Sequence, residues 1–149
     1  MRGGKDLICG QKMKAGMAGL ISGVILGFVL NIIEYITNLK VYTLLLNVDY
    51  VPVLNNYEIP EAGEFGIHLV ISIILAILLQ IFMQKKAWKS NRKKKFTIIL
   101  SIAIGVLLYP TTMLSERTPE ITSTYAFLFW ISSHALYGWI LGTMLKKTT

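Results

Sequence analysis

The chain has 149 residues, of which 54% are hydrophobic and only 15% are charged. A soluble domain carries about 25% charged residues, so this composition argues against a soluble protein. The net charge of +7 could suggest a nucleic-acid partner. No recognition fold accompanies the basic residues, however, and they are segregated from the apolar segments. We therefore expect no nucleic-acid partner, and the length predicts one domain, residues 1–149.

Four apolar segments are long enough to cross a membrane as helices. A helix rises ~1.5 Å per residue, so the ~30 Å hydrocarbon core requires about 20 apolar residues. The sequence predicts an all-α integral membrane four-helix bundle. Its predicted spans are 15–37, 65–83, 96–114 and 124–145, joined by external segments 38–64 and 115–123 and by a cytoplasmic loop, 84–95.

The basic residues predict the orientation of these spans. Thirteen of the fifteen lie in the N-terminal tail, in the loop 84–95 or at the C-terminus, whereas six of the eight acidic residues lie in the two external segments. Basic loops stay in the cytoplasm, so both termini are predicted to be cytoplasmic. The cluster from Lys85 to Lys95 is expected to contact anionic lipid headgroups.

Two local features modify this plan. The apolar start of the first external segment, VYTLLLNVDYVPVL, is too short to cross. We predict a short helix or half-extended piece at the outer interface, with a re-entrant loop as the alternative. Pro110 is predicted to kink or end the third span. The short basic loop predicts that the second and third spans are neighbours.

Each span also carries small or polar residues at every fourth position, which places them on one helix face. Lipid gives no hydrophobic drive for helix association, so small residues mark the faces where helices pack. We expect the four stripes to face one another, and we expect Gly27 to make room for His134 at a similar depth. The stripes are Gly19, Gly23, Gly27 and Asn31; Glu64, His68, Ser72, Ala76 and Gln80; Thr97, Ser101, Gly105 and Tyr109; and Trp130, His134, Gly138 and Gly142.

The outer half of the bundle is predicted to contain a polar cluster. Ionisable side chains within spans are expensive and often functional, and histidine titrates near neutral pH. Structural packing is the alternative explanation for the same residues. The candidate cluster is Asn31, Glu34, Glu64, His68, Tyr109 and His134.

No catalytic or metal-binding motif occurs in the sequence. There is no phosphate loop, nucleophile elbow or HExxH, and the one cysteine, Cys9, excludes an internal disulfide. We therefore expect no enzyme activity, no cofactor and no metal site.

Two short segments carry a family resemblance. The last span reads HALYGWILG from His134, and the second span begins with EFGIHLVIS around His68. These segments resemble the small four-span bacterial membrane proteins of the YagU and YqhR type. The resemblance implies a helical bundle in the bacterial inner membrane and supplies no reaction.

Three functions are compatible with these observations. The first is a non-catalytic accessory or stress-related membrane protein. The second is an oligomeric transporter or proton or ion conduit that uses Glu34, His68 and His134. The third is a membrane enzyme that acts on lipid. A homo-oligomer or another membrane protein is a possible partner, since small-residue faces serve contacts between chains as well as within one.

Overall fold

The computed structural model describes residues 2–48, 59–86 and 88–146, with side chains from residue 10 onward. Most of the described residues are helical and none of them is in a strand, which confirms the prediction of an all-α chain. Part of the first external segment, 49–58, and Lys147 lie outside the described residues. The helices are α1 (Arg2–Thr37), α2 (Val41–Leu46), α3 (Glu61–Lys85), α4 (Ser90–Leu108) and α5 (Thr124–Lys146), with a 3₁₀ helix (Tyr109–Leu114) after α4.

Three helical segments are long and apolar enough to cross a membrane, which are Gly10–Thr37, Glu61–Lys85 and Ser90–Leu114. Helix α5 is also long enough at 23 residues, but histidine, serine, tyrosine and tryptophan interrupt its apolar sequence. Most of the predicted basic tail belongs to α1, which begins at Arg2 rather than near Ala15. As predicted, the α-helix ends near Pro110: α4 stops at Leu108, and a 3₁₀ helix that contains Pro110 continues from Tyr109.

The turn after α1 folds the chain back on itself. Asn38 has a φ of 59°, the left-handed conformation that often ends a helix and that asparagine adopts more easily than most residues. Its N–H donates to the Glu34 carbonyl at 2.8 Å. Helix α2 therefore lies beside the end of α1, as a short helix of the kind the sequence predicts. We call this the α2 end of the molecule, and the opposite end, where residues 86–89 join α3 to α4, the loop end.

The long helices pack in the order α3, α1, α5, α4. Helix α1 packs along α3 and α5, and α4 packs along α5, whereas α3 and α4 have few close approaches in the described part of the chain. These last two meet at the loop end, where the Phe82 and Phe96 rings lie 5.8 Å apart and Trp88 packs against both. The expectation that the second and third spans pack as neighbours is therefore wrong along most of their length.

The small residues explain this choice of partners. A Cβ added to Gly19 would lie 2.6 Å from the Ser72 carbonyl oxygen and 2.8 Å from the Ala76 Cβ. At Gly138 it would lie 2.8 Å from the Cα of Ile98. Glycine thus lets the backbone of α1 approach α3 and the backbone of α5 approach α4. The stripes of α3 and α4 face α1 and α5, and so they do not face each other.

The same contacts correct the predicted pairing of Gly27 with His134. A Cβ at Gly27 would meet the Phe65 ring, and the His134 ring lies over Gly105, 2.9 Å from the position of an added Cβ to the ring Cγ. The similar depth of Gly27 and His134, counted along their helices, predicts only their level in the bundle. It does not identify which neighbouring helix each residue contacts.

Aliphatic side chains cover the outside of the helices. On α3, Val70, Ile74 and Leu78 are more than half exposed, whereas Ser72 and Ala76 between them are 3% and 0% exposed. The other stripes are buried in the same way, apart from Asn31, which is exposed, and His68, which is half-buried. This distribution reverses the pattern of a water-soluble helix, whose apolar face is turned inward.

The contact at Gly19 generates a stability prediction. Gly19→Ala should destabilise the protein by roughly 1–3 kcal/mol, because the added methyl group forces two backbones apart. Gly66→Ala is the matched control, since a Cβ there meets nothing within 4 Å, and it should be neutral or slightly stabilising. Reversible unfolding in detergent measures both variants. Equal stability of the two would contradict the close approach.

Candidate functional site

Glu34 holds α2 in place. Its Oε2 accepts hydrogen bonds from the backbone N–H groups of Tyr42 and Thr43 at 2.7 and 2.9 Å, and its Oε1 accepts from the Thr43 hydroxyl at 2.8 Å. The first N–H groups of a helix have no partner within it, so a carboxylate from α1 caps α2. Lys40 lies 3.9 Å from the same carboxylate. Both Glu34 oxygens thus accept hydrogen bonds that hold α2 against α1.

A polar pocket of about 300 Å³ lies at the α2 end, above the helix ends. Asn31 and Glu34 line it together with Tyr42, Glu61 and Glu64. Burial, a hydrogen bond to Glu61 and the nearby carboxylates together raise the pKa of Tyr42 to about 12. The phenol therefore stays protonated at neutral pH.

Glu64 is 3% exposed and is bound by a side chain from the turn between α4 and α5. The two guanidinium nitrogens of Arg117 donate to its two oxygens at 3.2 and 3.4 Å. Such a bidentate pair fixes both distance and angle. It ties the turn 115–123 to the start of α3.

Both histidines donate one ring N–H to a backbone carbonyl. His68 Nε2 lies 3.3 Å from the Gly23 oxygen, and His134 Nδ1 lies 2.9 Å from the Trp130 oxygen. A carbonyl only accepts, so these nitrogens carry the protons. In the neutral rings, Nδ1 of His68 and Nε2 of His134 are then acceptors.

A cavity of about 100 Å³ lies between the helices in the half nearer α2. Most of its wall is aliphatic. Its polar lining includes Glu64, His68, Ser72, Trp130, His134 and Tyr137. The cavity thus brings together three of the six residues of the predicted cluster: Glu64, His68 and His134.

The remaining predicted residues lie elsewhere. The Tyr109 hydroxyl donates to the Ser123 carbonyl at 3.1 Å, so its ring supports the turn between α4 and α5. Asn31 and Glu34 line the outer pocket and not the cavity. The prediction of one cluster is therefore wrong. The structure divides it among an outer pocket, a cavity between helices and the hydrogen bond of Tyr109 to the turn 115–123. Glu64 lines both the outer pocket and the cavity.

The sequence prediction missed Tyr137. Its hydroxyl lies 2.8 Å from Ser72 Oγ, which in turn donates to the Gly19 carbonyl at 2.7 Å. Ser72 has one proton, so Tyr137 donates to Ser72 and the chain of donors ends at α1. Tyr137 is three residues after His134 and thus on the same side of α5, a spacing that a search at every fourth residue overlooks.

The site has no cluster typical of a metal centre. Among the described residues, no group of three or more His, Cys, Asp or Glu side chains is placed to hold a metal ion. Comparison with models of known families, with curated proteins and with solved structures finds no match. The geometry and chemistry of the site therefore carry the functional argument.

The Glu64–Arg117 pair generates a prediction. Arg117→Gln should destabilise the protein by about 1–3 kcal/mol, because the buried carboxylate loses its bidentate partner. The double variant Glu64→Gln/Arg117→Gln should recover most of that loss, since no charge remains buried. Glu116→Gln, at an exposed neighbour, is the control. Unfolding in detergent measures the two single variants, Arg117→Gln and Glu64→Gln, and the double variant. A double variant whose loss of stability equals the sum of the two single losses would contradict the pairing.

Proposed function

We propose that this chain is a four-span protein of the bacterial cytoplasmic membrane, with both termini in the cytoplasm, that acts without catalysis as an accessory membrane protein. The observation that carries the proposal is that aliphatic side chains cover the outside of the helices while small and polar side chains are buried. Aliphatic side chains such as Ile74 and Leu78 face outward at more than 50% exposure, while Ser72 and Gln80 are buried. Water would disfavour this arrangement, whereas a bilayer stabilises it.

The proposal includes α5 as a fourth span. At ~1.5 Å per residue its 23 residues extend about 35 Å, which matches the hydrocarbon core. It has no charged residue before Lys146. Ser133 and His134 are buried, whereas Ser132 and Trp139 are exposed, so only part of its low apolarity reflects its interior.

The charge distribution supports the orientation. The cluster from Lys85 to Lys95 spans the end of α3, the connecting residues 86–89 and the start of α4, and the acidic residues Glu61, Glu64 and Glu120 lie at the opposite end. The positive-inside rule then assigns the loop end to the cytoplasm. The bacterial location rests on the resemblance to the YagU and YqhR type.

The packing favours an accessory function over a conduit. The cavity contains His134, as a conduit would require. Toward the loop end, however, the interior is filled by Leu79, Met83, Leu141 and Leu145, each at most 5% exposed. The lining of the cavity extends no further toward the loop end than Leu75 on α3 and Tyr137 on α5. A blind cavity suits binding better than passage.

The packing also gives little support to a lipid-acting enzyme. A lipid-acting enzyme would need polar side chains such as Glu34 and His68 together at the mouth of a groove open to lipid. Glu34 is occupied by its bonds to α2, and the Ser72 hydroxyl donates to a carbonyl instead of to a histidine. No side chain in the described cavity is thus arranged as a nucleophile beside its base.

Cysteine accessibility in intact cells tests the proposal. In a Cys9→Ser background, Glu116→Cys should react with a membrane-impermeant maleimide, and Asn91→Cys should react only after the cells are opened. Both positions are exposed, so the difference reports the side of the membrane. Equal reactivity of the two positions in intact cells would contradict the four-span topology.

A further inference from the structure

In the described part of the chain, the cavity opens sideways between α3 and α4. Ile71 on α3 and Leu108 on α4 both line it, yet they are 57% and 37% exposed. These two side chains therefore lie between the cavity and the outer surface of the described helices. The opening follows because, among the described residues, α3 and α4 pair with other helices and have few close approaches, while Phe82 and Phe96 hold them together at the loop end.

The other approaches to the cavity are covered. At the α2 end, residues 44–48 form part of its wall, and the Glu64–Arg117 pair joins α3 to the turn before α5. Toward the loop end, Leu79 and Leu141 are buried. A molecule would therefore enter from the side, and in the membrane topology proposed above that side faces acyl chains.

The hydrogen bonds within the cavity leave two histidine nitrogens as acceptors. Trp130 Nε1–H donates to the Gly105 carbonyl at 2.8 Å, and the Tyr137 hydroxyl donates to Ser72. Each histidine donates one ring N–H to a backbone carbonyl. The second nitrogen of each neutral ring is an acceptor without a partner in the described part of the chain. His134 is 4% exposed and lines the cavity, so its acceptor is reached from the cavity and not from the outer surface.

We infer that the cavity binds the neutral hydroxyl head of a single-chain, membrane-soluble alcohol or phenol, which enters between α3 and α4 and donates its hydrogen bond to His134 or His68. The inference rests on the membrane location proposed above. The acyl or isoprenoid chain of the ligand would leave through the opening, along Ile71 and Leu108.

The size and charge of the cavity favour this class of ligand. A volume of about 100 Å³ corresponds to roughly three waters at ~30 Å³ each, enough for a hydroxyl and the first carbons but not for the headgroup of a two-chain phospholipid. A charged head would be costly among aliphatic walls. The charges at the rim, Glu64 and Arg117, already neutralise each other.

Photo-crosslinking of the full chain in lipid nanodiscs tests the inference. The probe is a long-chain fatty alcohol with a diazirine near the hydroxyl and a terminal alkyne, and the matched probe is its methyl ether. The alcohol should label peptides that contain residues 67–75, 104–111 and 130–137 about fivefold more than the ether does, the factor expected from one hydrogen bond.

Variants locate the site. Ile71→Trp should block the opening and abolish the focused labelling, whereas Val70→Trp, at the adjacent exposed position, should leave it unchanged. His134→Phe keeps a ring over Gly105 but removes one acceptor, so it should lower the ratio of alcohol to ether labelling; the double variant His68→Phe/His134→Phe removes both acceptors and should equalise the two probes. If His134→Phe fails to fold, the comparison of the two probes on the unchanged chain still decides the matter.

Two failures are distinguishable. Equal labelling by alcohol and ether, spread over the aliphatic surfaces of all four long helices, would overturn the ligand site and leave the membrane location intact. An absence of label on those surfaces from either probe would instead overturn the membrane location itself, and the inference with it.

Discussion

The fold depends on the close approach of helix backbones at small residues. Ser72 and Ala76 on α3 contact the face of α1 that carries Gly19, and Ile98 and Ser101 on α4 contact the face of α5 that carries Gly138. In a bilayer, hydrophobic burial does not favour one helix neighbour over another, so van der Waals contact and interhelical hydrogen bonds select the partners. Glycine at these positions allows backbone and side chain to meet where any larger residue would keep the helices apart.

This selection of partners has a consequence for the site. Since α3 pairs with α1 and α4 pairs with α5, the seam between α3 and α4 has no stripe of small residues on either side. The two helices diverge from their aromatic contact at Phe82 and Phe96, and the space between them becomes the cavity. Its polar lining follows from the same packing, because the residues that face a neighbouring helix in each pair, such as Ser72 and His134, also face the interior.

Sequence reasoning predicted the features that depend on a single helix. The apolar length of each segment gave the helices and Pro110 gave the end of α4. The four-residue spacing identified faces that are buried in the structure except at Asn31 and, in part, His68. The sequence could not predict partners, because a periodic stripe defines a face and not the helix opposite it. For this reason the pairing of Gly27 with His134 failed.

The side chains at the helix ends were the least predictable. Glu34 caps a helix that begins seven residues later, and Tyr109 reaches a turn eleven or more residues away. Each contact depends on how the chain reverses between helices, as at Asn38 with its left-handed backbone. Hydropathy and periodicity describe regular segments only, so they assigned both residues to the polar cluster.

The central claim is that the small and polar stripes face inward while the aliphatic faces meet lipid. Spin-label accessibility along α3 in a bilayer tests it most directly, with nitroxides placed singly from residue 70 to residue 80. We expect collision with oxygen, which is concentrated in lipid, to be greatest at Val70, Ile74 and Leu78 and least at Ser72, Ala76 and Gln80. Oxygen accessibility that peaks at Ser72, Ala76 and Gln80 would contradict the account.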